Sequence, residues 1–341
     1  MDIKLGVGLW QTVTSQNLVE LTVLAEDLGY DQLWYGNHKL YRDMYVGLGL
    51  AAYNSKSIEI GTFISEPYSY HPAMIAAAIG TIDEISGGRA ILCLGAGAAN
   101  FKELGLRRDR PLVAINETIE ICRKLFTGEK VTFKGEMFSV EDSWLHFETR
   151  SDLPIYVATR GDKMLQLSGQ VADGVMVATY ARPNGIQRAL DLVDEGGMKV
   201  GRTWKDMPII SRVDACVHPD RDVARNAVRP MISMLLMGSY PDKNFVTSLG
   251  LEMPPELENI CRQKNELLSI QNGHLVPEEF VDAFAWAGTP DDVAAQVAAV
   301  ADMGIDHITY LPHPPQGEGF EPNLTRFAKE VMPRVKALLG N

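Results

Sequence analysis

Eight short apolar segments recur along the chain, and nearly every one runs into a stretch with helical spacing. The strand-like segments cover residues 3–10, 30–36, 57–64, 89–97, 153–161, 173–180, 207–218 and 305–312. Helical periodicity covers 14–29, 43–54, 71–88, 110–126, 161–172, 183–199, 290–303 and 321–339. In the first helix, apolar residues at 18, 21, 24, 25 and 28 make one face, Thr14 or Ser15 can cap it, and Gly29 ends it. Strands this apolar need both faces covered, which is the pattern of a parallel sheet between helices. Eight such units predict a closed (β/α)8 TIM barrel, an α/β fold, rather than an open doubly wound sheet.

Two stretches break the beat. Residues 127–152 carry a polar–apolar alternation over 127–147 that reads as a small β-hairpin. Residues 219–285 are long and less regular. No repeat or linker divides the chain, so residues 1–341 are expected to form a single domain with these two insertions.

The formal net charge is −12, which argues against nucleic acid or an anionic membrane as a partner. It leaves room for an anionic ligand held by backbone N–H groups. Cys93, Cys122, Cys216 and Cys261 form no C-x-x-C pair and no zinc-type cluster. Such cysteines suit a reducing compartment. No leader pattern opens the sequence and no apolar run reaches the roughly 18 residues of a membrane span. The expectation is a cytoplasmic protein acting on a small molecule.

In a barrel of this kind the site lies at the C-terminal strand ends. His38, after the second strand, is suited to proton transfer near neutral pH, or to a hydrogen-bonding loop role. Glu66 precedes Pro67 and is therefore extended, with its carboxylate expected to face a pocket or solvent. Gly95 and Gly97 permit close approach of backbone to a ligand, but the stretch lacks the third glycine of a dinucleotide fingerprint. Thr159, Arg160 and Gly161 close the fifth strand and open a helix, a seat for phosphate or an ordinary capped helix start. Trp10 and Tyr41 are candidate pocket walls.

Four stretches together carry a family resemblance: residues 24–38, 70–97, 115–140 and 153–180. On them the chain resembles the bacterial luciferase-like superfamily of flavin- and deazaflavin-dependent enzymes, over essentially its whole length. The segments "TIDEISGGR" and "RGDKMLQLSGQVADGV" are most similar to the branch that uses coenzyme F420, which includes methylenetetrahydromethanopterin reductases. The resemblance implies hydride transfer between F420 and a small organic substrate. It implies His38 as acid/base beside the cofactor ring, and a non-prolyl cis peptide near Phe63–Ile64 backing that ring. Gly95, Gly97, Ala98, Thr159, Arg160 and Gly161 would then hold the cofactor's polar tail, with a homodimer or higher homo-oligomer as the assembly. FMN with O2, in a monooxygenase, is the alternative cofactor chemistry; a non-catalytic flavin-binding barrel and direct hydride transfer from a nicotinamide are further ones. The chain departs from the pattern at Gly8 and Ala98, where acidic residues are expected, and Glu66 is a candidate replacement. Arg42, with Tyr41 beside it, stands where the glucose-6-phosphate-oxidising members carry an aromatic residue.

Overall fold

The computed structural model describes residues 2–97 and 100–340. Strands run in chain order as β1 (Lys4–Leu9), β2 (Gln32–Gly36), β3 (Glu59–Phe63), β4 (Ala90–Leu94), β5 (Val131–Lys134), β6 (Ser139–Ser143), β7 (Ile155–Thr159), β8 (Gly174–Ala178), β9 (Ile209–Val217), β10 (Ala285–Gly288) and β11 (His307–Pro312). The main sheet has the order β10-β9-β11-β1-β2-β3-β4-β7-β8, and β8 pairs back to β9, so the eight strands other than β10 close the expected (β/α)8 barrel. Strands β5 and β6 form the expected hairpin.

Two expectations need correction. Residues 219–285 are not irregular: they contain a 19-residue helix, Arg221–Ser239, and shorter helices at Pro255–Arg262, Glu266–Gln271 and Glu278–Phe284. The short helices lack the length for a clear 3.6-residue signal, which hides them in the sequence. Strand β10 also escaped sequence reading, because its four residues add to β9 beside a helix end.

The residues group into two compact units. One comprises 8–176 and 192–209, the other 1–7, 177–191 and 210–341. In the first, helix starts are fixed by side chains: Thr14 accepts from Asn17 N, Asp43 from Val46 N and His71 Nδ1 from Ala73 N. Glu26 accepts backbone N–H groups from Lys56, Ser57 and Ile58. Burial alone would raise its pKa, but these donors outweigh it and hold Glu26 down to about 2. Glu117, on helix Pro111–Leu125, accepts from Glu136 N at 2.6 Å, Met137 N at 3.0 Å and Phe138 N at 2.9 Å, so one carboxylate ties the hairpin turn to the helix.

Helices Asp162–Val171 and Pro183–Gly197 meet through glycines. A Cβ on Gly196 would overlap the Gln166 carbonyl oxygen, and one on Gly169 would overlap that of Val193. Both obstacles are backbone, which cannot swing aside as a side chain can. Gly196→Ala is therefore expected to cost about 3 kcal/mol, at the upper end of overpacking penalties. An unchanged urea midpoint for this variant would contradict the close helix contact.

All nine residues of β9 are buried, eight of them in the second unit, where Thr289 with Asp292 forms a capping box that starts helix Pro290–Ala301.

Candidate functional site

The first unit brings most of the site residues expected from sequence to one set of strand ends. The Trp10 ring lies 4.6 Å from the His38 ring and 5.6 Å from that of Phe63. Tyr41 meets His38 edge-on at 5.8 Å and is 49% exposed, so it forms the outer edge of this aromatic group. Gly36 makes room for the indole: a Cβ there would stand 2.8 Å from Trp10 Cε3. The opposite edge carries Trp10 Nε1, which is buried without a hydrogen-bond partner among the described residues. Orphaned buried donors are uncommon, and this one suits a ligand acceptor.

The loop after β2 is pinned from several sides. Gln11, itself buried, accepts from His38 N and donates to the Arg42 carbonyl. Arg42 Nη1 returns a bond to Gln11 O at 3.0 Å. Asn37 donates through its backbone to Phe63 O at 3.0 Å and through its amide to Ile64 O at 3.2 Å. The Phe63–Ile64 peptide is cis, at the position the family resemblance implied.

Burial, and then the Lys39 charge, push the His38 pKa from 6.5 down to about 4. At neutral pH the imidazole is therefore uncharged, keeping one N–H donor and one lone pair.

Glu66 is oriented differently from the expectation of a carboxylate facing a pocket or solvent. It is 1% exposed and pairs with Lys39 Nζ at 3.1 Å, Lys39 being 5% exposed. Glu66 also accepts from Tyr68 N at 2.7 Å, Ser69 N at 3.2 Å and the Ser69 hydroxyl. With four donors directed at two oxygens, it organises loops. Lys39 Nζ also sits 3.8 Å from the centre of the Phe101 ring, and Asn100 donates to the Lys39 carbonyl. One buried ion pair thus joins the loops after β2 and β3, and the Phe101 and Asn100 contacts of Lys39 bring in the loop after β4. Gln11, Asn37, Lys39 and Asn100 carry no sequence motif; only the neighbours supplied by folding reveal their roles.

Gly95 lies where three strand ends converge: an added Cβ would stand 3.0 Å from Ile64 Cδ1 and 3.2 Å from the Ala158 carbonyl. Gly97 has φ +70°, a conformation that favours glycine, and Arg108 donates to its carbonyl at 2.7 Å. Ala98 lies outside the described residues. Thr159 and Arg160 are half-buried, and Thr159 Oγ1 accepts from Gly161 N at 3.1 Å. Gly161 is the N-cap of Asp162–Val171 and no side chain caps this helix start. An anion can take that place, although Asp162 in the first turn opposes it.

A parallel barrel with an uncharged imidazole, an aromatic wall and close-approach glycines at its C-terminal strand ends defines a small-molecule site of the (β/α)8 enzyme type. The chain belongs to the luciferase-like monooxygenase family, whose model matches residues 4–307. A 5,10-methylenetetrahydromethanopterin reductase of Archaeoglobus fulgidus is 31% identical over 338 residues, 98% of this chain and 100% of that protein. One from Methanolobus tindarius is 33% identical over 91% of this chain and 93% of its own length. The structure of a coenzyme F420-dependent tetrahydromethanopterin reductase from Methanopyrus kandleri superposes with a TM-score of 0.88 at 25% identity, covering 98% of this chain and 100% of that one.

Proposed function

We propose that this protein is a coenzyme F420-dependent oxidoreductase of the methylenetetrahydromethanopterin reductase kind. It moves a hydride between F420 and a small organic substrate. The observation that carries this reading is the full-length likeness to reductases named for that reaction, joined to a site whose residues suit a flat deazaflavin. Phe63, Ile64 and Trp10 offer an apolar and aromatic wall, with Trp10 Nε1 in want of an acceptor. Gly95 and Gly97 leave space that a Cβ would fill. The uncapped start at Gly161, with Thr159 and Arg160 beside it, suits a phosphate. When bound, F420 supplies the hydride chemistry.

The chain's own residues orient the reactants and handle the proton. His38 stays neutral and can accept a proton or a hydrogen bond from the substrate. Gln11 holds the His38 backbone, while Trp10 and Tyr41 border its ring and limit water. Lys39 and Glu66 keep the three loops in register without touching the chemistry. The absence of acidic residues at Gly8 and Ala98 makes His38 the leading acid/base of this set.

We further propose that residues 1–341 act as one catalytic domain in the cytoplasm, as a homodimer. Exposed Val46, Tyr53 and Met74 on the packed helices Met44–Tyr53 and Pro72–Ser86 support self-association.

The test is a fluorescence titration of the purified protein with F420 and with FMN. Micromolar or tighter F420 binding with much weaker FMN binding is the expected result. Preference for FMN would move the assignment to the monooxygenase chemistry, and binding of neither would overturn the cofactor reading.

A further inference from the structure

The loop after β4 is basic in an acidic chain. The formal net charge is −12, yet residues 102–110 hold Lys102, Arg107, Arg108 and Arg110 against Glu103 and Asp109. Two of these cations are already paired: Arg107 lies 3.4 Å from Asp109, and Arg110 lies 2.5 Å from Glu136. Arg108 has no carboxylate beside it among the described residues. Its Nη1 donates instead to the neutral Gly97 carbonyl at 2.7 Å, which holds the guanidinium against the exit of β4. The loop around it is tied down on both sides. Leu106 N donates to Phe101 O at 2.8 Å, and Gly105 N to Lys102 O at 3.1 Å. The Tyr68 hydroxyl, from the loop after β3, donates to Asp109 O at 3.0 Å, and its ring meets Phe101 edge-on at 5.7 Å.

The sheet register places Arg108 relative to the rest of the first unit. Leu94 pairs with Val157, so the exits of β4 and β7 run side by side, about 4.8 Å apart. A Cβ on Gly95 would stand 3.2 Å from Ala158 O, so the two chains stay adjacent past the last pair. Continuing that register puts Gly97 level with Arg160, beside the uncapped helix start at Gly161. Arg108, bonded to Gly97, therefore neighbours the place that suits a phosphate. Burial falls outward from there: Thr159 and Arg160 are half-buried, whereas Arg108 is exposed. A ligand with its phosphate at the helix start meets Arg108 with the part it carries beyond the phosphate.

We propose that Arg108 is an anion subsite for the carboxylates that F420 carries in its oligo-γ-glutamate tail, beyond the phosphodiester. The Nε–Nη2 edge of Arg108 makes no hydrogen bond among the described residues, and such an edge matches the two oxygens of a carboxylate. Positive charge without a partner, set in an acidic chain, also draws a polyanion toward this end of the site. The inference rests on the proposed F420 reading for the identity of the ligand, whereas the anion subsite itself does not depend on it.

Three ligands of increasing length test the assignment by fluorescence titration of wild type and Arg108→Gln. They are the deazaflavin bearing only its ribityl chain, its 5′-phosphate, and F420 with the glutamate tail. Arg108→Gln is expected to raise the Kd of F420 about tenfold at low ionic strength, the effect of losing one hydrogen bond to a charged group. High salt should shrink that difference, because exposed charges are screened. The two shorter ligands should keep their wild-type affinity, and Arg108→Lys, which retains the charge without the fork, should fall between. An equal loss for all three ligands would mean a distorted β4 exit. A loss shared by F420 and the 5′-phosphate would put Arg108 on the phosphate. Unchanged F420 affinity would leave Arg108 an ordinary surface charge. Each of these three results would overturn the proposal.

The second measurement needs no deazaflavin. Tri-γ-glutamate alone, and inorganic phosphate alone, are titrated into protein labelled with carbon-13 arginine, and the Arg108 Cζ signal is identified by its loss in Arg108→Gln. The expected result is a saturable shift of that signal with the peptide. No shift, or a shift with phosphate only, would contradict the proposal. If the wild-type protein binds none of the three deazaflavins, the F420 reading falls, while the peptide titration still decides the role of Arg108.

Discussion

Glu66→Ala will lower the stability of the protein by about 3–5 kcal/mol, the usual cost of removing one partner of a buried ion pair. Lys39 would be left with its ammonium in a site where the side chain is only 5% exposed. The cation–π contact with the face of Phe101 returns only a fraction of what the carboxylate supplied. The Tyr68 and Ser69 backbone N–H groups and the Ser69 hydroxyl would lose their acceptor as well. Glu66→Gln keeps an acceptor oxygen but removes the charge, so its loss should fall between wild type and alanine. The double variant Lys39→Met with Glu66→Gln removes the buried ammonium that has lost its carboxylate and should recover part of the deficit. Urea midpoints measure all three. Wild-type stability in Glu66→Ala would mean that the pair does not organise these loops. Because the pair joins the loops after β2 and β3, and Lys39 also holds the loop after β4, the same variant should also weaken F420 binding, although Glu66 touches no ligand in the proposed mechanism.

His38→Ala will reduce turnover by about 10²–10⁴-fold, the range for removing a positioned acid/base. F420 binding should stay within a few-fold, because Phe63, Ile64, Gly95 and the helix start at Gly161 remain in place. A variant that loses F420 affinity and turnover together would place His38 in cofactor binding. A variant with wild-type turnover would remove it from the mechanism.

The depressed pKa of His38 makes a separate claim about stability. The unfolded chain takes up a proton near 6.5, whereas the folded protein resists it until about 4. Above pH 6.5 both states hold a neutral ring and His38 contributes no pH dependence. Between pH 6.5 and 4 the unfolded state binds more protons, so stability falls as the pH falls. The ceiling on this loss is about 3 kcal/mol, set by the interval between the two pKa values. In His38→Gln the loss from this group should vanish, which urea midpoints at pH 7.5 and pH 5 will detect.

Much of the architecture was legible in the residues. The apolar runs at 3–10, 30–36, 57–64 and 89–97 became β1 to β4 because a parallel strand buried on both faces needs a continuous apolar run. The end of each strand could then be located, and with it His38, the Phe63–Ile64 exit, Gly95 and Gly161. Tertiary structure decided what those positions do. Extended backbone before Pro67 fixed the path of Glu66 but not its partner. The carboxylate turned inward because Lys39, 27 positions earlier, was brought beside it in a space closed to water. Likewise His313 follows an unremarkable strand end. Its orientation comes from Asp214, 99 positions away, on a strand that is its neighbour only in the closed sheet. Periodicity is a local property and survives in the sequence. Desolvation, charge pairing and proton placement depend on distances between remote residues, and those exist only once the barrel has formed.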